Sequence, residues 1–142
     1  DIIISYSDIY YDKKILNLIN KYKKNNLLLP IKKNWREIWN KRKKSIFDDA
    51  ETLKIKNKKL FEIGKKLNKI SDAKGQFMGI LFIPRKMRMS LIQIIEKYKL
   101  YKKQTTFLLN YLVKKKMDID IISTNLSWYE FDDLSDLKNF ND

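Results

Sequence analysis

A chain of 142 residues that is 44% apolar and 13% aromatic has the length of one ordinary domain and side chains enough for a core, so it should be globular rather than disordered. It has no cysteine and no histidine, which excludes disulfides, Cys/His zinc sites, histidine acid–base chemistry and cysteine nucleophiles together. A metal would have to be held by oxygen ligands, which points to Mg²⁺ or Mn²⁺.

The net charge of +14 raises the question of a nucleic-acid partner. Lysine, however, is spread through nearly every segment together with Asn and Ile, and Arg36, Arg42, Arg85 and Arg88 are the only residues with the guanidinium fork that base and phosphate recognition favours. Compositional bias is the better reading, and Lys41-Arg42-Lys43-Lys44 is the cluster where it would fail. No run of about 18 uncharged apolar residues is present and Asp1 to Ser5 lacks the form of a signal peptide, so no membrane partner and a cytoplasmic location are expected.

In chain order, Ile2-Ile3-Ile4-Ser5 is a short apolar run opening into polar residues, the pattern of a buried parallel strand, with Asp8 in the loop after it. Ile15, Leu18, Ile19 and Tyr22 recur at helical spacing over 12–24, with Asp12 as N-cap. Leu27 to Ile31 is extended again, so a strand–helix–strand crossover with parallel strands is the economical arrangement. Trp35 to Lys44 reads as a basic, aromatic loop with a helical turn.

Glu51–Lys56 and Lys59–Ile63 alternate apolar with polar around Asn57-Lys58, which predicts a solvent-facing hairpin. Gly75–Pro84 predicts a central strand. Helices are expected over 90–101 and 105–116, strands over 118–123 and 127–131, and a last helix from the capping box Asp133-Leu134-Ser135-Asp136. The interleaving predicts an α/β fold with a mixed, mostly parallel sheet flanked by helices, plus a small antiparallel hairpin.

Several segments together resemble one known family. Ile3-Ile4-Ser5-Tyr6-Ser7-Asp8-Ile9 is similar to the strand and acidic turn of nucleotidyltransferases. Asn34-Trp35-Arg36-Glu37-Ile38-Trp39, Asp49-Ala50-Glu51-Thr52-Leu53, Phe61-Glu62-Ile63-Gly64-Lys65-Lys66 and Gly75-Gln76-Phe77-Met78-Gly79-Ile80 resemble, in order, blocks of its phosphocholine cytidylyltransferase branch. Thr105-Thr106 and Ser127-Trp128-Tyr129-Glu130-Phe131-Asp132 resemble its closing signature. The family's Gly-rich nucleotide loop is not among these residues, and the resemblance implies residues 1–142 are the C-terminal part of a single Rossmann-like nucleotidyltransferase domain, with the loop in a preceding segment and no activity expected of this part alone.

The resemblance implies attack of an acceptor phosphate or phosphonate on the α-phosphorus of a nucleoside triphosphate, CTP being favoured, with release of pyrophosphate. Such chemistry needs positioning and charge neutralisation rather than a protein nucleophile. It makes Asp8 and Asp132 the Mg²⁺ ligands and Lys66 a phosphate contact, with Lys65 its alternative by register. Gly79, Glu130 and Trp128 fall at the acceptor, and Trp35, Trp39 and Trp128 could form an aromatic box for a quaternary ammonium. Each also has an ordinary structural reading: a turn aspartate for Asp8, an N-cap for Asp132, a surface pair for Glu130, close packing for Gly79 and core packing for the tryptophans. A basic nucleic-acid-binding module and an incomplete transferase half serving as an interaction domain are the rival classes.

Overall fold

The computed structural model describes every residue except 23, 24, 43, 44 and 142. Strand β1 (Ile2–Ser5), β2 (Ile9–Tyr11), helix α1 (Lys14–Asn20) and β3 (Leu27–Lys32) come first, followed by two short helices, α2 (Arg36–Trp39) and α3 (Ile46–Asp49). The hairpin is β4 (Glu51–Lys56) and β5 (Lys59–Lys66), then come β6 (Gln76–Phe77) and β7 (Ile80–Ile83). Helices α4 (Arg88–Lys97) and α5 (Thr105–Lys114), strands β8 (Ile119–Thr124) and β9 (Trp128–Glu130) and helix α6 (Leu134–Asn141) complete the chain.

The main sheet runs β1-β7-β3-β8-β5-β4, with β6 also paired to β3, while β2 and β9 form a separate antiparallel ribbon. The α/β class and the mixed sheet stand as expected, but the parallel share is smaller: β3–β8 is parallel, and β1–β7, β3–β7, β3–β6, β4–β5 and β5–β8 are antiparallel. The cause is β7. Both β1 and β3 run antiparallel to it, so they are parallel to each other with β7 inserted between them, and the expected crossover survives without direct pairing. Nor is β1 buried: it is a sheet edge whose Ile2, Ile3 and Ile4 remain 40%, 40% and 45% exposed.

Strand β3 shows why the sheet sits where it does. Its side chains alternate faces, so Leu28 joins Ile15 and Ile19 of α1 with Trp35, Trp39 and Trp128 in one core. Leu27, Leu29 and Ile31 join Leu91, Leu109 and Leu112 of α4 and α5 in the other. Each fully buried leucine here is worth about 2–5 kcal/mol against alanine.

The expected 75–84 strand is broken. Gly79 takes φ +70°, a conformation that costs glycine little, and this kink separates β6, on β3, from β7. The hairpin turn forms where expected, with Asn57 and Lys58 both at positive φ (52° and 60°), as a two-residue turn matching strand twist requires. The helix expected over 12–24 is described as Lys14–Asn20, and Lys24 lies outside the described residues. No helix among the described residues is long and apolar enough to cross a membrane.

Candidate active site

The ribbon β2–β9 links the second strand of the chain to the last. Ile9 stands opposite Glu130 and Tyr11 opposite Trp128, and the Phe131 N–H donates to the Asp8 carbonyl at 2.9 Å. Asp8, in the bend after β1, and Asp132, just past β9, are thereby drawn to the same end of the ribbon. Their charges act on a common neighbour: the Glu130 carboxyl is pushed up to about 7, first by burial, then by Asp132, with Asp8 and Asp49 adding and Arg42 opposing.

Asp132 is released from helix capping. Asp133 takes that role, its Oδ1 accepting from the Ser135 and Asp136 N–H groups at 2.8 and 3.2 Å. Asp136 reaches back with Oδ2 to the Asp132 and Asp133 N–H groups at 2.9 and 3.4 Å, the reciprocal arrangement of a capping box. The Asp132 side chain instead meets Arg42, Nη1 to Oδ2 at 3.2 Å.

Arg42 belongs to the basic run that the sequence marks as the candidate nucleic-acid cluster, and its position in the fold is different. Its side chain is 3% exposed. Nη1 pairs with Asp49 at 2.7 Å, Nε lies 3.4 Å from Asp136, Nη2 donates to the Glu130 carbonyl at 2.8 Å, and the guanidinium lies 4.6 Å from the Trp39 ring centroid. Burial disfavours its charge, and the Asp49 hydrogen bond with the Asp136, Asp49 and Asp132 charges outweighs that. Arg42 faces inward, so it adds nothing to a nucleic-acid surface; Lys43 and Lys44 of that run lie outside the described residues.

Beside Asp132 opens a cavity of about 340 Å³, a size suited to a small ligand. Asp49, Glu51, Glu130 and Asp132 supply its carboxylates and Tyr6, Trp39 and Phe77 its rings; Gln76, Gln104 and Thr106 complete it. In a chain with 31 basic residues, no Lys or Arg is among these lining residues. Glu51 is held by its backbone, which Gln76 clamps through Nε2 to the Glu51 carbonyl at 2.8 Å and through Oε1 from the Glu51 N–H at 3.4 Å. Burial pushes its carboxyl up, partly countered by a hydrogen bond with the Thr106 side chain.

The remaining expected residues scatter around this centre. Lys66 ends β5 opposite Glu51 and lines an adjoining cavity that shares Asp49 and Glu51 with the first. Lys65 lines that second cavity too, but its Nζ pairs with Glu62 on the surface. A Cβ on Gly79 would stand 3.0 Å from the Tyr6 ring, so that space is filled by Tyr6 rather than open to a ligand. Trp128 is 3% exposed, donates Nε1–H to the Met78 carbonyl at 2.9 Å and stacks on Trp39 at 6.0 Å. It therefore stands behind Trp39, away from the cavity lining. Trp35 is likewise buried, with its Nε1–H on the Ala73 carbonyl at 3.2 Å.

Glu51, Gln76, Tyr6 and Thr106 carried no separate signal in the sequence as site residues. Each lay inside or beside a segment quoted for the resemblance, and only the folding of β4, β6, the β1–β2 bend and α5 onto one cavity distinguishes them.

No protein-family model matches the chain. In sequence it is 30% identical, over 148 aligned residues, to a CTP:phosphoglutamine cytidylyltransferase of Campylobacter jejuni, covering 97% of this chain and 58% of that protein. In structure it matches an inositol-1-phosphate CTP transferase from T. maritima with TM-score 0.63 at 15% identity, over 94% of this chain and 50% of that one. It matches a CTP:phosphocholine cytidylyltransferase from Streptococcus pneumoniae with TM-score 0.58 at 15% identity, over 97% and 55% respectively. The chain is thus related to nucleotidyltransferases and has their fold, and it spans between half and three-fifths of the length of these proteins.

Proposed function

We propose that this chain supplies the acceptor and metal side of a cytidylyltransferase that joins the cytidylyl group of CTP to a phosphorylated small molecule and releases pyrophosphate. An acceptor phosphate oxygen attacks the α-phosphorus; the bond from that phosphorus to the β-phosphate oxygen breaks, and its electron pair leaves with pyrophosphate. Both reactants are anions, so repulsion and alignment dominate the barrier.

The observation that carries this reading is the β2–β9 ribbon, which sets Asp8 and Asp132 at one end of itself beside an acidic cavity. A turn aspartate and a capping aspartate would have no reason to be neighbours, and capping is done by Asp133. Asp8 and Asp132 are the residues that would hold Mg²⁺. Two carboxylates fit the ion's habit of taking one or two from protein and the rest from phosphate and water, and no group of three or more acidic side chains is arranged for a metal among the described residues. Bound there, the ion would neutralise phosphate charge.

This chain's own contribution is orientation. Arg42 holds the Asp132 carboxylate in place through Nη1 and Oδ2 at 3.2 Å. Lys66, across the strand pair from Glu51, would contact the acceptor phosphate from the adjoining cavity. The charged residues of the lining are all acidic, which suits an acceptor with a positively charged head group over an uncharged sugar phosphate. The test is pyrophosphate release by the full-length protein with each of the four nucleoside triphosphates. Release with CTP and a phosphorylated acceptor is expected; a clear preference for UTP or GTP would remove the cytidylyl assignment and leave the class.

A further inference from the structure

Resting on the transferase reading above, we propose that the acceptor's head group is a primary ammonium, and that Glu51 is the carboxylate that accepts its N–H bonds. Two observations lead there, one about rings and one about charge.

The tryptophans that could cage a methylated ammonium are already engaged. Trp39, the tryptophan that lines the cavity, has the Arg42 guanidinium 4.6 Å from its centroid and Trp128 stacked at 6.0 Å with an interplanar angle of 16°. The ring already holds one of the protein's own cations and a stacked indole. Trp35 and Trp128 are buried with their N–H groups on backbone carbonyls. Tyr6 and Phe77 meet edge to face at 5.7 Å. An aromatic cage, the device for a cation without N–H groups, is therefore not available from the tryptophans.

The carboxylates divide in the opposite sense. Arg42 pairs with Asp49 and Asp132, whereas Glu51 has no ion-pair partner among the described residues. It is half-buried, held by the Gln76 clamp on its backbone, and shares the cavity lining with Thr106. A half-buried carboxylate without a cation is costly, and a ligand ammonium would supply that cation. An ammonium brings three donors that must be satisfied once water is displaced. Glu51, with the Thr106 hydroxyl and the Gln104 amide on the same lining, offers acceptors for them, and a trimethylammonium could use none.

The experiment compares three acceptors that share a phosphate: O-phosphoethanolamine, phosphocholine and glycerol 3-phosphate. Pyrophosphate release from CTP is measured with the full-length protein, its Glu51→Gln and Glu51→Asp variants, and Asp118→Asn as a control on a surface pair with Lys59. The wild type should favour phosphoethanolamine over both others by about tenfold or more in kcat/KM, the scale set by leaving a polar site unpaired. Glu51→Gln should erase that preference mainly through KM, Glu51→Asp should reduce it, and Asp118→Asn should keep it. Equal or better use of phosphocholine, or a Glu51→Gln loss shared equally by all three acceptors, overturns the inference and leaves the transferase reading standing. No release with phosphoethanolamine overturns the inference as well.

Discussion

At the residue scale, Glu51 and Arg42 carry most of what composition hid. The folded-state carboxyl of Glu51 is pushed above its ordinary range by burial. Its contribution to stability is therefore fully present at low pH and is lost as pH rises through the folded value. Glu51→Gln removes that loss, so thermal unfolding at about pH 8 should occur at a higher temperature than in the wild type, and the gap should narrow toward about pH 4. A lower melting temperature at pH 8 would show that the Glu51 charge is already compensated. Arg42 makes the contrary case. Arg42→Met leaves Asp49 and Asp136 without their shared cation, and breaking such a buried pair costs about 3–5 kcal/mol. Because Asp132 is 37% exposed, the lower end of that range is expected, read as the shift in urea midpoint.

At the scale of elements, two features position the cavity wall and the last helix. Gly64 sits at φ +81° with Thr106 so close that an added Cβ would come within 2.9 Å of the Thr106 Cβ. Gly64→Ala should therefore cost more than about 1 kcal/mol and should displace the first turn of α5, which carries Thr106 to the cavity; unchanged stability would mean that β5 and α5 are not locked together here. Asp133→Ala should cost about 1 kcal/mol by uncapping α6, measured by the same denaturant midpoint.

These elements also show what the sequence made legible. The Asn57-Lys58 turn and the Asp133/Asp136 box were readable because their chemistry is local: a backbone conformation in one case, two carboxylates facing orphan N–H groups in the other. Strand β2 was not readable. Its three residues, Ile9 to Tyr11, have no period of their own and become a strand only by pairing with β9. The β1–β7 and β3–β7 directions were hidden for the same reason, since hydrophobic runs do not encode the sense of a neighbour. The inward role of Arg42 was not legible because a basic run carries no sign of its partners until α3, the end of β9 and α6 bring Asp49, Asp132 and Asp136 around it.

At the scale of the whole molecule, a basic chain encloses an acidic cavity, and the two ends of the sequence meet beside it through β2 and β9. The most direct measurement is pyrophosphate release from CTP by the full-length protein, with Mg²⁺ and a phosphorylated acceptor, for the wild type and for Asp8→Asn and Asp132→Asn. Release is expected only when metal and acceptor are both present. Either substitution should lower it by about a hundredfold or more, on the scale of losing one charge-stabilising group in a transfer site, and chelation of the metal should abolish it. Folding should change by about 0.5 kcal/mol or less for Asp8→Asn, whose residue is exposed, and by about 1.5–3 kcal/mol for Asp132→Asn, which weakens a charged pair with the buried Arg42. Release that is undiminished in Asp132→Asn, or absent from the wild type with every acceptor, would contradict the account.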